Sequence, residues 1–314
     1  MTDIELHFGA GLGSTQVSEE AKRLEELGFD YGGAGEHFMR GTPPSPSDMA
    51  LPVMAAASGA TRNLRVVSTV ILTPLYHPVL LAKMTSTIDT LSEGRVTLGV
   101  GTGGEFPVEF EAMGVPVTER GARTNEVLTA LKRLWTEENV THHGRFFEFN
   151  NVTLNPLPHQ KPHPPIWVAG RKDIAMTRAA RFGNGWLPYF YGPDRYRNSR
   201  ERITEIATQE GRDLHDFTWA HLSFISINKT KEEAASVAAS RLGARYRSQT
   251  EMLSIVGSYC VLGSVSDCIE KLGQYVDAGV RTFIFSWCCP PEELRMHIET
   301  TAKEIIPALR REFK

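Results

Sequence analysis

Residues 91–116, LSEGRVTLGVGTGGEFPVEFEAMGVP, decide how the rest of the chain is read. The stretch opens on a turn, Ser92-Glu93-Gly94, and enters an apolar, β-branched run over residues 96–100. A run this short, bounded by turn residues, predicts a strand buried on both faces. It breaks into Gly101-Thr102-Gly103-Gly104, and Glu105 follows at once. Three glycines at a strand end let backbone come close to a flat or anionic ligand, because no Cβ stands in the way. Glu105 then places a carboxylate at the mouth of that approach. A tight strand-to-helix turn is the alternative reading, since glycine-rich turns are common.

On both sides of this stretch the chain alternates strand-like and helix-like segments. Strands are predicted over residues 4–9, 29–34 and 64–72 before it, and over 166–169, 186–189, 217–227 and 282–286 after it. Ser18 has the character of an N-cap with Glu19 and Glu20 in the first turn, and Gly28 closes that helix. Residues 118–137 form the clearest helix, with Val127, Leu128, Leu131, Leu134 and Trp135 recurring on one face. Helices are also predicted over 49–61, 79–91, 173–182, 194–209, 231–253, 265–278 and 291–311. Residues 138–165 carry alternating aromatics and then many prolines, and read as an inserted hairpin with an extended loop. Eight strands, each followed by a helix, predict an α/β fold: a single (β/α)8 TIM barrel spanning residues 1–314, with insertions at its C-terminal face. A doubly wound sheet is the competitor. No GxGxxG follows the first strand, and no acidic residue stands where a ribose partner belongs.

Composition narrows the function. Of 314 residues, 41% are hydrophobic and 23% charged, as in a soluble globular protein. A net charge of -3 gives no electrostatic footprint for nucleic acid. Apolar runs such as residues 66–72 are too short to span a bilayer, so no membrane role is expected. The N-terminal residues lack the charged and apolar regions of a secretory signal. Cys260, Cys268, Cys288 and Cys289 show no paired spacing and read as reduced thiols of a cytoplasmic protein. The histidines show no ligand spacing, so no metal is expected.

In a barrel the active site lies at the C-terminal strand ends. Those ends offer Glu36 and His37 after strand two, Thr69, Leu72 and Thr73 around strand three, and Gly101, Thr102, Gly103 and Glu105 after strand four. Gly170, Arg171 and Lys172 follow strand five, and Tyr189, Ser286 and Trp287 later strands. Gly170-Arg171-Lys172 precedes a helix, whose free N–H groups and positive dipole end suit a phosphate. His37 can give or take a proton near neutral pH.

An ordered series runs through these segments: Leu91-Ser-Glu-Gly-Arg95, Leu98-Gly-Val-Gly101, Arg120 to Trp135, Gly144 with Phe147, Pro156-x-Pro158, Pro164-Pro-Ile166, Ala179-Ala-Arg181 and Gly185-Trp186. It resembles the bacterial luciferase-like monooxygenase family, and within it most the oxidoreductases that use the deazaflavin coenzyme F420. The resemblance implies a barrel binding a reduced flavin-type cofactor across the strand ends. It implies a bulge backing the ring at Ile71, Leu72 and Thr73, often with a cis peptide, and the cofactor phosphate at Gly170, Arg171 and Lys172. The family's acid-histidine pair falls on Glu36 and His37. A Gly-Thr-Gly-Glu with a proton-transferring Glu matches the segment ending at Glu105, where this chain has one glycine more. An Arg that the luciferases carry for the FMN phosphate near Thr102 is absent here, which favours F420 over FMN. The implied activity is hydride transfer to or from a small organic substrate. An FMNH2-dependent monooxygenase with a separate reductase is the alternative, and a non-catalytic flavin-binding barrel a third. The resemblance also implies a homodimer.

Overall fold

Eight parallel staves close on themselves in the computed structural model, which describes residues 4–40, 45–246 and 248–314. The first half of the chain contributes β1 (His7–Leu12), α1 (Val17–Glu26), β2 (Tyr31–Ala34), α2 (Ala50–Ala60), β3 (Arg65–Ser68), β4 (Ile71–Leu72), α3 (Pro78–Leu91), β5 (Val96–Gly101), α4 (Pro107–Ala112) and α5 (Arg120–Thr136). The hairpin β6 (Val140–His143) and β7 (Glu148–Val152) comes next. The second half contributes β8 (Ile166–Val168), α6 (Asp173–Phe182), β9 (Gly185–Trp186), α7 (Pro193–Gln209) and β10 (Thr218–Ile227). It ends with α8 (Lys231–Tyr246), α9 (Gln249–Tyr259), β11 (Val261–Gly263), α10 (Val265–Asp277), β12 (Thr282–Trp287), α11 (Leu294–Thr300) and α12 (Ile306–Glu312).

The staves run β1, β2, β3 with β4, β5, β8, β9, β10 and β12, and β12 returns to β1. Every one of these pairings is parallel, as βαβ crossovers require. Fully buried strands such as β5 confirm the apolar reading of residues 96–100. Inside the barrel, Tyr31, Val67, Trp167, Leu187, Ala220 and Ile284 pack together, with the Tyr31 and Trp167 rings 5.3 Å apart. Arg65, at the start of β3, donates to the Tyr31 hydroxyl (3.0 Å) and marks this as the N-terminal end. The interior is therefore filled below and free only towards the C-terminal strand ends.

Several sequence expectations shift. The first strand lies at His7–Leu12 rather than 4–9, because it pairs with β12 over His7–Ala10 and with β2 over Gly9–Leu12. Ser18 is not an N-cap: α1 starts at Val17, after Gln16 in the left-handed region (φ 51°). The segment 186–189 shrinks to β9 plus a lone bridge from Tyr189 to Leu222. Residues 231–253 split into α8 and α9, and Ser248 with Glu251 makes a reciprocal capping box for α9. The last helix widens into a π turn over Thr301–Ile305, where Pro307 has no N–H to give. Strand β11 and helix α4 were not foreseen.

Two polar clamps fix the frame. Arg95 of the LSEGR segment donates to the carbonyls of Ser58, Thr61, Leu64 and Ser92, tying the end of α2 to the turn before β5. Glu126 on α5 accepts from the N–H groups of Arg145, Phe146 and Phe147 and pairs with His142 (3.2 Å), holding the β6–β7 hairpin against α5. Among the described residues no helix is long and apolar enough to cross a membrane.

Candidate active site

A cavity of about 310 Å³ opens at the C-terminal ends of the staves. Glu36, His37, Thr69, Leu72, Gly101, Thr102, Gly103, Glu105 and Gly170, drawn from four separate crossovers, all line it. Ile71 and Thr73 do not: both are fully buried, Ile71 within the helix–strand core. Arg171 and Lys172 also lie outside the lining. Arg171 stacks its guanidinium over the Tyr189 ring (5.0 Å), and Lys172 is exposed.

The interruption expected at residues 71–73 sits two residues earlier. Ladder pairing stops after Ser68 and resumes at Ile71, and the Thr69–Val70 peptide bond is cis. Val70 enters the cavity wall from this break. A Cβ on Gly101 would lie 2.5 Å from the Val70 Cγ2, so glycine is required there by the chain's own close approach. Gly103 adopts φ 60°, and a Cβ there would meet Leu72 and Phe110 at 3.0 and 3.2 Å. The glycines thus first admit the bulge, and only then a ligand.

Glu36 holds the far side of the bulge. Its carboxylate accepts from the Leu72 N–H (3.0 Å), the Tyr76 hydroxyl (2.8 Å) and the Ala50 N–H (3.3 Å). Burial raises its pKa above the ordinary carboxylate value, and the three donors offset that in part. With its oxygens committed to the frame, Glu36 is built to position the wall.

His37 has a different setting. Its Nδ1 lies 3.1 Å from a carboxylate oxygen of Glu109, a residue of α4 with no exposure to solvent. The same carboxylate accepts from the N–H groups of Phe38 (2.6 Å) and Met39 (3.1 Å). The Phe106 ring packs edge-on to the imidazole with centroids 5.0 Å apart. A carboxylate at Nδ1 makes that nitrogen the donor and leaves Nε2 as the acceptor. Glu105 is also partnered, accepting from the Tyr189 hydroxyl. Burial, and next the Glu105 charge, raise the Tyr189 pKa, so this hydroxyl stays a donor.

Sequence reasoning missed Glu109, and with it Arg245 and Tyr246, which reach the cavity from the end of α8. Pro107 at the first turn of α4 was the available signal, being favoured at helix starts. Nothing local marks Arg245 and Tyr246, which arrive from a distant crossover.

The geometry of a barrel with a polar cavity at its strand ends agrees with what sequence comparison returns. The profile of the luciferase-like monooxygenase family matches residues 7–282, and the chain belongs to this family. The FMNH(2)-dependent dimethylsulfone monooxygenase of Pseudomonas putida is 32% identical over 222 residues, which is 70% of this chain and 60% of that enzyme. The F420-dependent glucose-6-phosphate dehydrogenase of Microbacterium testaceum is 27% identical over 348 residues, covering 99% of each chain. Among solved structures, monooxygenase RslO1 from Streptomyces bottropensis superposes with a TM-score of 0.82 at 25% identity, covering 96% of this chain and 99% of that one. An F420-dependent secondary alcohol dehydrogenase gives a TM-score of 0.86 at 20% identity over 98% of this chain and 99% of its own, a likeness of fold. The chain is thus of an oxidoreductase family whose members use F420 or FMN.

Proposed function

We propose that this chain is an F420-dependent oxidoreductase that moves hydride to or from a small organic substrate, with His37 as its acid or base. The observation that carries this is the His37–Glu109 pair. A fully buried carboxylate holds one imidazole nitrogen of a histidine that lines the cavity. A barrel that merely bound a flavin would have no use for a histidine oriented in this way.

The residues present fit such a cofactor. The Thr69–Val70 bulge with Gly101 forms a wall of backbone and small side chains for a planar ring. The first two amides of α6, those of Asp173 and Ile174, have no partner among the described residues, and its N-cap residue Lys172 supplies no capping side-chain oxygen. Gly170, in the left-handed region at φ 118°, with Arg171 and Lys172 beside it, completes a cradle for the cofactor phosphate. When bound, F420 supplies a hydride carrier that cannot react readily with O2. His37 then holds or donates the proton at its Nε2 towards a substrate oxygen, while Glu109 keeps the tautomer. Glu105, kept in place by Tyr189, presents its second carboxylate oxygen to the same space. We extend the reading to a cytoplasmic homodimer; the four buried, unpaired cysteines support a reducing setting.

A second reading, an FMNH2-dependent monooxygenase served by a separate reductase, is favoured by the 32% identity to the dimethylsulfone enzyme. Titration of the purified protein with F420 and with FMN separates them. Tighter binding of F420, with turnover that does not need O2, is expected. Preferential binding of FMN with O2-dependent turnover would establish the second reading instead.

A further inference from the structure

We propose that Arg245 binds the anionic group of the substrate, a carboxylate, sulfonate or phosphate carried on an apolar or aromatic body. This rests on the reading of the cavity as an oxidoreductase site, and it assigns the substrate class.

Arg245 and Tyr246 close α8 and line the cavity. Among the described residues the Arg245 guanidinium makes no hydrogen bond and no ion pair, and its Nε is buried with no partner. Its guanidinium lies over the Tyr246 ring, 5.2 Å from the centroid. A buried guanidinium N–H without an acceptor is costly, and folded proteins seldom leave one. The nearby carboxylates do not relieve it. Glu36 is taken by Leu72, Ala50 and Tyr76, Glu109 by His37 and two backbone N–H groups, and Glu105 by Tyr189.

A second cation stands near Arg245. Burial first, and the Arg245 charge second, lower the Arg40 pKa from its ordinary value, so the two guanidinium groups sense each other. An anion at Arg245 would relieve that repulsion and satisfy the orphaned Nε–H. A guanidinium fork suits carboxylate, sulfonate and phosphate oxygens. The adjoining walls fix the rest of the ligand. Leu222, Phe224 and Tyr246 line the same space, and Phe224 is backed by Phe190 with ring centroids 4.6 Å apart. Such walls take an apolar or aromatic body.

The test uses benzoate and its uncharged isostere benzamide as probes, titrated by calorimetry into the protein saturated with whichever cofactor it binds. Benzoate should bind at least about tenfold more tightly than benzamide. Arg245→Met should abolish that preference without changing benzamide binding or cofactor affinity, and Arg245→Lys should keep part of it. Equal affinity for both probes, no binding of benzoate, or a preference that outlives Arg245→Met would each overturn the proposal. If neither F420 nor FMN binds, the cofactor reading fails, while the same titration on the chain alone still tests Arg245.

Discussion

A histidine with a carboxylate on Nδ1 has one nitrogen left for chemistry, and this makes His37 and Glu109 a unit. His37→Asn should lower turnover by roughly a hundredfold or more and leave the fold intact, because Asn keeps a polar group but cannot exchange a proton near neutral pH. Glu109→Gln still accepts from the Phe38 and Met39 N–H groups, yet presents no charge to the imidazole. It should lower kcat by roughly tenfold or more and leave cofactor affinity unchanged. Because Glu109 acts through His37, adding Glu109→Gln to His37→Asn should cost little further. Steady-state kinetics on the two single variants and the double variant decide this, and fully additive losses would give Glu109 a role of its own. At this scale the sequence was half readable. His37 stood out because it follows a strand in a barrel. Glu109 did not, because an acidic residue in so short a segment, with Glu111 two places on, reads as solvent-facing. Only the fold shows it enclosed beneath the loop after β2.

Among the elements, α6 carries the clearest prediction. Its bounds were read from sequence as they stand, since Asp173 opens it and Gly183 ends it. Free amides, the positive dipole end and two cations converge there. Changing both Arg171 and Lys172 to Glu should weaken cofactor binding at least about tenfold without unfolding the protein, because Lys172 is exposed and the Arg171 side chain stacks on the Tyr189 ring, while its carbonyl contacts do not depend on the side chain. Fluorescence titration measures it, and unchanged affinity would move the phosphate elsewhere. The elements that escaped reading share a cause. β11 is three residues long, below the length at which alternation or an apolar run can register. α4 has six residues, too few for helical periodicity. The bulge was misplaced by two residues because Val70 looks like any β-branched strand residue, and only pairing shows where the ladder stops.

At the scale of the whole molecule, the alternation of strand and helix was readable because each βα unit repeats the same apolar demand, and the closure of β12 onto β1 follows from it. Closure gives the barrel a filled end and an open end. Trp167 is the largest side chain in the filled end, packed against Tyr31 and almost wholly buried. Trp167→Ala should lower stability by about 3–5 kcal/mol, read as a lower urea midpoint with an unchanged slope. A loss under about 1 kcal/mol would mean that the interior collapses to fill the gap. The Glu36 carboxylate has a consequence of another kind. By joining the end of β2 to Leu72 of β4, to the first amide of α2 and to Tyr76, it fastens two neighbouring walls of the cavity to one another. Neither wall can yield alone when a molecule arrives. Recognition on this side should therefore be lock-and-key, with little ordering entropy lost on association and an on-rate set by passage through the mouth, which stopped-flow binding would show as a single phase linear in ligand concentration.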